Sequence, residues 1–232
     1  MTGFRTIGVI GGMGPAATVD FMTKLLLAGG ATRDQDHPRI LVDCDPTLPD
    51  RHAAVRGAGP SLGPRLARMA EGLVGSGAEI LCMPCNTAHA FERDVREAVD
   101  APFVSIIEAA VDEAIGRTPG GRRVGVLAAQ GTLEADLYGR VLALRSREAV
   151  TPTALELERF MTLVWRVKAG DTSAGVRSGM AELAAALVGR GADAVIAGCT
   201  EAPLVLSGED FDAALIDSTA ALAAAVIAAA RL

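Results

Sequence analysis

The chain contains an internal repeat, and this repeat constrains the fold more than any other feature of the sequence. Residues 7–14 (IGVIGGMG) are similar to residues 124–131 (VGVLAAQG), and residues 73–79 (LVGSGAE) are similar to residues 187–193 (LVGRGAD). The matching segments come in the same order and at nearly constant separation. Two strand–helix units that look alike by chance are the alternative, but the shared order favours two related halves.

Short, mainly apolar runs alternate with longer amphipathic stretches in both halves. The runs at residues 6–10, 39–43 and 78–83 do not alternate apolar with polar positions, which is typical of strands buried on both faces of a parallel sheet. Helices are predicted at residues 15–27, 65–74, 87–99 and 106–115, and a second round begins with a strand at residues 123–127. The sequence therefore predicts an α/β fold of two related three-layer lobes with mainly parallel sheets, duplicated about a pseudo-twofold axis.

The composition excludes several classes of partner. Of 232 residues, 50% are hydrophobic and only 3% are aromatic, and 28 acidic residues outnumber 22 basic ones. Nucleic-acid binding requires a basic surface and stacking aromatics, so we expect no nucleic-acid partner. No apolar run is long enough for a membrane span or a signal peptide, and four cysteines are too few for a disulfide scaffold. We expect a cytoplasmic protein with reduced thiols and no membrane partner.

Each half has a predicted strand that ends in a cysteine, Cys85 or Cys199, at the start of a predicted helix. Ligands of open α/β sheets bind beyond the carboxyl ends of the strands, so two facing halves would place these thiols across a cleft. A helix N-terminus would also lower the pKa of each thiol. One thiolate could then remove a proton from a carbon while the opposite thiol returns one, which inverts a stereocentre. Small, buried apolar cysteines are the alternative.

Removing the α-proton of an amino acid requires stabilisation of the enediolate that develops on its carboxylate. Asn86, Thr87 and Thr200 flank the two cysteines and are placed for this task. The glycine-rich loop after the first strand permits a close backbone approach to a substrate carboxylate at a helix N-terminus. We assign the loop residues Gly12, Met13 and Gly14 to substrate binding.

Two cations are candidates for reading a substrate carboxylate. Arg51 follows the turn-rich residues 45–50, and its guanidinium suits a bidentate carboxylate pair, although a solvated surface arginine is the alternative. Lys168 ends a predicted helix, where it either binds substrate or balances the helix dipole. His89 follows Cys85 by about one helical turn, where it either tunes the thiol or is a capping or solvent-facing residue.

Other chemistries fit the sequence less well. The Cys82-Met-Pro-Cys85 segment has the spacing of a redox motif, but Cys82 falls inside a predicted strand. Histidines 37, 52 and 89 are not at metal-ligand spacing, so we expect no metal. The glycines after the first strand match neither the dinucleotide nor the Walker A pattern. We therefore expect no cofactor.

Four motifs carry a family resemblance: residues 7–18 (IGVIGGMGPAAT), 49–51 (PDR), 83–89 (MPCNTAH) and 198–201 (GCTE). In this order the chain resembles the cofactor-independent aspartate/glutamate racemase superfamily. The opening GGMGP and the two cysteine blocks are most similar to its aspartate racemase branch. His52 departs from the pattern, since many members have a threonine there.

The resemblance implies a first lobe of residues 1–104, a C-terminal helix 217–232 that packs back on it, and a second lobe of residues 105–216, with the active site in the cleft between them. Cys85 and Cys199 would be the acid/base pair. Arg51 would bind the distal carboxylate of the substrate, with Lys168 and Glu201 among the substrate-binding residues. We also expect a homodimer.

The function so implied is PLP-independent racemisation of an amino acid, with aspartate as the substrate. Racemisation of glutamate or of a broader set of amino acids is one alternative, and isomerisation of another small dicarboxylate is a second. A non-enzymatic protein that binds small acids in the same cleft is the third. Solvent deuterium separates the enzymes from the binder, since only a racemase exchanges the α-hydrogen.

Overall fold

The computed structural model describes residues 3–208 and 213–232. The chain divides into two compact units, Met1–Ile106 with Thr219–Leu232, and Ile107–Ser218. Each unit is built on a sheet of four parallel strands, and helices alternate with the strands along the chain. This arrangement confirms the α/β fold class that the apolar runs predict.

The first sheet has the strand order β2-β1-β3-β4. Ile7 on β1 pairs with Ile40 on one side and Ile80 on the other, so β1 is central, and all five of its residues are buried. The strands of this unit are β1 (Ile7–Gly11), β2 (Ile40–Cys44), β3 (Ile80–Cys82) and β4 (Phe103–Val104). Its helices before β4 are α1 (Pro15–Gly29), α2 (Arg51–Val55), α3 (Gly63–Gly75) and α4 (Glu92–Ala98).

The second sheet has the order β6-β5-β7-β8, the same topology as the first. The segments matched by the sequence repeat take equivalent places, with β1 and β5 second in order and β3 and β7 third. The strands are β5 (Arg123–Ala128), β6 (Glu148–Val150), β7 (Ala194–Gly198) and β8 (Ala214–Asp217). The helices are α5 (Ile106–Arg117), α6 (Gln130–Glu134), α7 (Leu137–Leu144), α8 (Ala154–Lys168) and α9 (Ala174–Gly189).

The last helix, α10 (Ser218–Ala230), brings the end of the chain to the first unit. The Leu232 amide donates to the Gly3 carbonyl at 2.9 Å, and the Arg5 amide donates to the Ala230 carbonyl at 2.8 Å. The Lys24 ammonium also donates to the Thr219 hydroxyl at 2.7 Å. Both ends of the described chain therefore belong to one unit. Within residues 3–208 and 213–232, no helix is long and apolar enough to cross a bilayer.

Two predicted helix starts are wrong, and both follow a cysteine. The helix predicted at residues 87–99 begins as a 3-10 turn, Thr87–Phe91, and becomes α-helical only in α4. Cys199 is likewise followed by a short 3-10 turn, Ala202–Leu204, with a proline in its first positions. A single tight turn aligns few peptide dipoles. The cysteines therefore do not lie at the N-terminus of an α-helix.

The loop after β1 requires glycine at position 12. Gly12 has a φ of +95°, and a Cβ there would lie 2.4 Å from the carbonyl carbon of Asp45. The backbones of the loops after β1 and β2 thus approach too closely for any side chain. The contact fixes the two loops against each other at the carboxyl edge of the first sheet.

We predict that Gly12→Ala lowers the free energy of unfolding by at least ~1–3 kcal/mol, the usual strain of an unfavourable backbone conformation, because the close contact adds to it. Gly72→Ala is the matched control: Gly72 is exposed on α3 with open space around it, and alanine should stabilise the helix by about 0.5–1 kcal/mol. Urea unfolding measures both changes. Equal effects would show that the loop contact is not tight.

Candidate active site

Cys85 lies just beyond β3 in the first unit, and its side chain is buried. The Cys85 amide donates to the Met83 carbonyl at 2.8 Å, which closes a tight turn around Pro84. The residue is 5% exposed, and the neighbouring Asn86 and Thr87 are also buried. The sequence-predicted donors therefore lie beside a thiol that is largely removed from water.

His89 holds the backbone of Cys85 through a fixed tautomer. Its Nδ1 lies 2.8 Å from the Cys85 carbonyl oxygen, and the Ile106 amide donates to its Nε2 at 3.1 Å. A backbone amide can only donate, so Nε2 accepts, and Nδ1 carries the proton that it donates to Cys85. The ring also contacts Phe103, with 5.5 Å between centroids.

Burial lowers the pKa of His89 to about 4, and the nearby Arg96 contributes to the same effect. The imidazole is thus neutral at pH 7, as its two hydrogen bonds require. The buried ring and its two hydrogen bonds rule out the capping and the solvent-facing alternatives. His89 instead orients the peptide that carries the thiol.

We predict that His89 makes folding pH-dependent between about pH 6.5 and pH 4. The unfolded histidine takes up a proton near pH 6.5 and the folded one only near pH 4, so acidification through this range favours the unfolded state. The lost stability is about 3 kcal/mol. Urea unfolding measures the free energy of unfolding across this range. For His89→Asn this free energy should depend less steeply on pH than in the parent, by the equivalent of up to about one bound proton. An unchanged slope would contradict the buried, neutral imidazole.

Cys199 follows β7 in the second unit and faces a carboxylate. Its Sγ lies 3.1 Å from Oε2 of Glu201, so the thiol donates to that oxygen, and the Thr200 hydroxyl donates to the same oxygen at 3.3 Å. Lys168, the last residue of α8, forms an ion pair with Oε1 of Glu201. The structure therefore brings together four sequence-predicted site residues in one cluster.

The environment of Cys199 raises the pKa of its thiol well above the ordinary value. Burial is the largest cause, the negative charge of Glu201 adds to it, and the Lys168 ammonium partly opposes both. The expectation of a thiol pKa lowered by a helix N-terminus is wrong for Cys199. The sequence pattern predicted a helix N-terminus beside the sulfur, which would stabilise a thiolate. The structure has a carboxylate and apolar groups there, and both disfavour a thiolate.

The glycine-rich loop after β1 is held by its own helix. The Gly12 amide donates to Oγ1 of Thr18 at 2.9 Å, and this hydroxyl donates to the Gly14 carbonyl at 3.1 Å. Met13 is buried in the core of the first unit. These contacts give the loop its shape, while contact of Gly12, Met13 and Gly14 with substrate stays a prediction.

Arg51 is the first residue of α2, and ion-pair and hydrogen-bond contacts hold the loop that precedes it. Arg65 forms an ion pair with Asp45 and donates to the Thr47 carbonyl at 2.9 Å. Asp50 caps α2 by accepting from the Ala53 amide at 2.7 Å. In the described part of the chain, no group forms an ion pair or hydrogen bond with the Arg51 guanidinium. The helix α2 packs against the turn Thr87–Phe91, close in the fold to Cys85.

Tyr138 is a residue near Cys199 that sequence reasoning missed. It is buried on α7, and a Cβ added at Gly198 would lie 2.9 Å from its ring. Burial is the largest cause that raises its pKa, and the charge of Cys199 acts in the same direction. The available signal was that Tyr138 is the one tyrosine in a chain poor in aromatics.

A metal site would need several ligands in one place. No three His, Cys, Asp or Glu side chains cluster in that way among residues 3–208 and 213–232. The titratable groups brought together around Cys199 are instead a carboxylate, an ammonium and a phenol. This arrangement suits the movement of a proton.

A comparison with known protein families identifies the family of this chain. Residues 10–226 match the family described as Asp/Glu/hydantoin racemase. The chain belongs to this family. Membership supports a cofactor-independent amino-acid racemase and confirms the resemblance carried by the glycine loop and the two cysteine blocks.

Individual relatives differ in the substrate that their names give. The structure of Picrophilus torridus aspartate racemase is similar, with a TM-score of 0.86 and 28% identity, over 98% of this chain and 95% of that one. The broad specificity amino-acid racemase RacX of Bacillus subtilis (strain 168) is 24% identical over 95% of this chain and 96% of that protein.

Glutamate racemases also match, over a shorter stretch. The enzyme of Mycobacterium ulcerans (strain Agy99) is 37% identical over 138 residues, which is 59% of this chain and 48% of that protein. The chain thus spans about half the length of that relative. The three relatives agree on racemisation of an amino acid and differ on which one.

Proposed function

We propose that the protein is a PLP-independent racemase that interconverts L- and D-aspartate, with Cys85 and Cys199 as its two acid/base groups. One observation carries the proposal. Each unit holds a buried cysteine just beyond the third strand of the same four-strand order, β3 in one unit and β7 in the other. Two matched thiols are what a reaction with one proton transfer on each face of a carbon needs.

In the proposed reaction one cysteine, as thiolate, removes the α-proton of the bound amino acid. The electron pair moves onto the α-carboxylate as an enediolate, and the other cysteine donates its proton to the opposite face of the carbon. The S–H bond formed on one side balances the S–H bond broken on the other. The chemistry requires both sulfurs to reach the same α-carbon from opposite sides.

The surroundings of the thiols favour this chemistry. Cys85 is 5% exposed and Cys199 is 6% exposed, so little water reaches either sulfur to quench the carbanion. Hydrogen bonds to the developing enediolate are stronger in such a low-dielectric site. We assign that task to buried groups next to the cysteines: the side chains of Asn86 and Thr87, and the backbone amide of Thr200, whose hydroxyl already donates to Glu201.

We predict that Cys85→Ala and Cys199→Ala each abolish racemisation, because one face of the carbon loses its acid or base. Each variant should still exchange the α-hydrogen of one enantiomer for deuterium in deuterium oxide, and the two variants should act on opposite enantiomers. NMR of separate L- and D-aspartate samples measures this exchange. The double variant should lose both exchanges.

Cys44→Ala is the matched control, since Cys44 is exposed at the end of β2 and should be replaceable without loss of activity. Circular dichroism first establishes that each variant is folded. Racemisation at the parent rate by a folded Cys85→Ala protein would refute the two-thiol mechanism.

Arg51 is proposed to select the substrate. The two-thiol reaction uses the α-carbon and α-carboxylate, which all amino acids share, so selection rests on the distal group. A guanidinium at the start of α2, with no ion-pair partner in the described residues, suits a bidentate pair with a second carboxylate. Broader amino-acid specificity is the second candidate, and the likeness to RacX along nearly the whole chain favours it.

We predict that Arg51→Ala lowers kcat/KM for aspartate by about tenfold to a hundredfold, the loss of one charge-assisted hydrogen-bonded contact of roughly 1.5–3 kcal/mol. Turnover of alanine, which has no distal carboxylate, should change little. Arg68→Ala is the control, because Arg68 is an exposed arginine on α3 of the same unit.

Chiral chromatography of a panel of amino acids, with no cofactor added, measures these rates. An equal loss of kcat/KM for aspartate and alanine would show that Arg51 does not bind the distal carboxylate. A parent enzyme that prefers neutral or basic amino acids would favour the broad-specificity alternative.

A further inference from the structure

The Cys199 thiol is one end of a chain of three polar groups. The sulfur donates to Oε2 of Glu201 at 3.1 Å, and Lys168 pairs with Oε1 of the same carboxylate. The Glu201 side chain is 7% exposed and the Lys168 side chain is 23% exposed. The two carboxylate oxygens thus have different partners. Oε2 accepts from a thiol that can give up its proton, and Oε1 pairs with an ammonium group.

The charges of this cluster decide where the thiol proton can go. With the proton on sulfur, Lys168 and Glu201 carry opposite charges, and the cluster is neutral. Loss of the proton to water would leave two anions in hydrogen-bond contact and a net negative charge in a buried place, which is costly. Transfer of the proton to Glu201 keeps the cluster neutral, because the negative charge only moves from oxygen to sulfur.

We propose that Glu201 accepts and returns the proton of Cys199, and that Lys168 holds Glu201 in place for this exchange. The Sγ–H bond breaks as the Oε2–H bond forms, and the thiolate is left ready to remove an α-proton. Both residues act through Cys199 and are therefore positioning residues. The proposal rests on the proposed acid/base role of Cys199, and it differs from the substrate-binding role that the sequence alone assigned to Lys168 and Glu201.

Tyr138 on α7 is another titratable group near Cys199, and Asp217 at the end of β8 acts on the pKa of this tyrosine. Its raised pKa keeps the phenol protonated, so it adds no charge to the cluster at working pH. Thr200 donates to the same carboxylate oxygen as the thiol and is itself uncharged. Glu201 and Lys168 are thus the two groups whose charges set the ionisation of the sulfur.

Two substitutions should shift this ionisation in opposite directions. Glu201→Gln removes the negative charge and leaves Lys168 facing the sulfur, so the pH midpoint for alkylation of Cys199 should fall by about one unit or more. Lys168→Gln removes the cation, so the midpoint should rise. The measurement is the rate of carbamidomethylation of Cys199 in the full-length protein between pH 7 and pH 11, read by peptide mass spectrometry. Below the midpoint this rate is proportional to the thiolate fraction, so a lower midpoint gives faster alkylation at a fixed pH and a higher midpoint gives slower alkylation. Cys85 in the same digest is the internal reference.

Activity gives an independent readout. In Glu201→Gln the proton can leave the sulfur only to water, which barely reaches this 6% exposed residue, so kcat should fall at least about tenfold even though more of the thiol is ionised. The KM should change little. Glu201→Asp keeps a carboxylate and should restore part of kcat at pH 7.

Three outcomes would overturn the proton exchange. Midpoints that shift the same way in both variants, or shift equally at Cys85, would indicate general loosening of the fold. An unchanged midpoint in Glu201→Gln, with a raised KM and a normal kcat, would make Glu201 a substrate contact. Retained racemisation by Cys199→Ala would instead refute the catalytic role of the thiol, whatever the alkylation midpoints show.

Discussion

The parallel direction of every strand in both sheets is the constraint on which the candidate site depends. Parallel pairing brings all the carboxyl ends of one sheet to the same edge, and the chain leaves each strand there. Gly12, Asp45 and Cys85 follow β1, β2 and β3 at that edge of the first sheet, and Cys199 follows β7 in the second. Within each unit, residues that are far apart in sequence therefore come to one edge of the sheet.

The duplication gives two equivalent positions with unequal surroundings. In the first unit a neutral histidine holds the peptide of Cys85 and leaves the local charge unchanged. In the second unit a carboxylate and an ammonium act on the sulfur of Cys199 itself. The two thiols thus have different polar neighbours even though they occupy matching places. A reaction that begins with one acid and one base benefits from this difference.

The sequence predicted much of the fold because the determining signals are local. The start of β5 at Arg123, the start of α1 at Pro15 and the end of α8 at Lys168 follow from an apolar run, a proline and a helical pattern. The pairing of Lys168 with Glu201 joins residues 33 positions apart, and no periodicity reports which charged side chains meet. The raised pKa of Cys199 depends on burial and on the charge of Glu201, and no local pattern reports either of them. The 3-10 turn Thr87–Phe91 was missed for a similar reason. His89 within this turn forms hydrogen bonds with the backbones of Cys85 and Ile106, and Ile106 lies 17 residues further along the chain.

The closing contacts of the chain also bear on how the protein is made. The first unit needs α10, whose residues are synthesised after those of the second unit, whereas residues 107–218 form one uninterrupted segment. A nascent chain can therefore complete the second unit while the first still lacks this helix and the contact of Leu232 with Gly3. Synthesis of the first unit thus begins before that of the second and ends after it, so its apolar surface stays uncovered until α10 has been made.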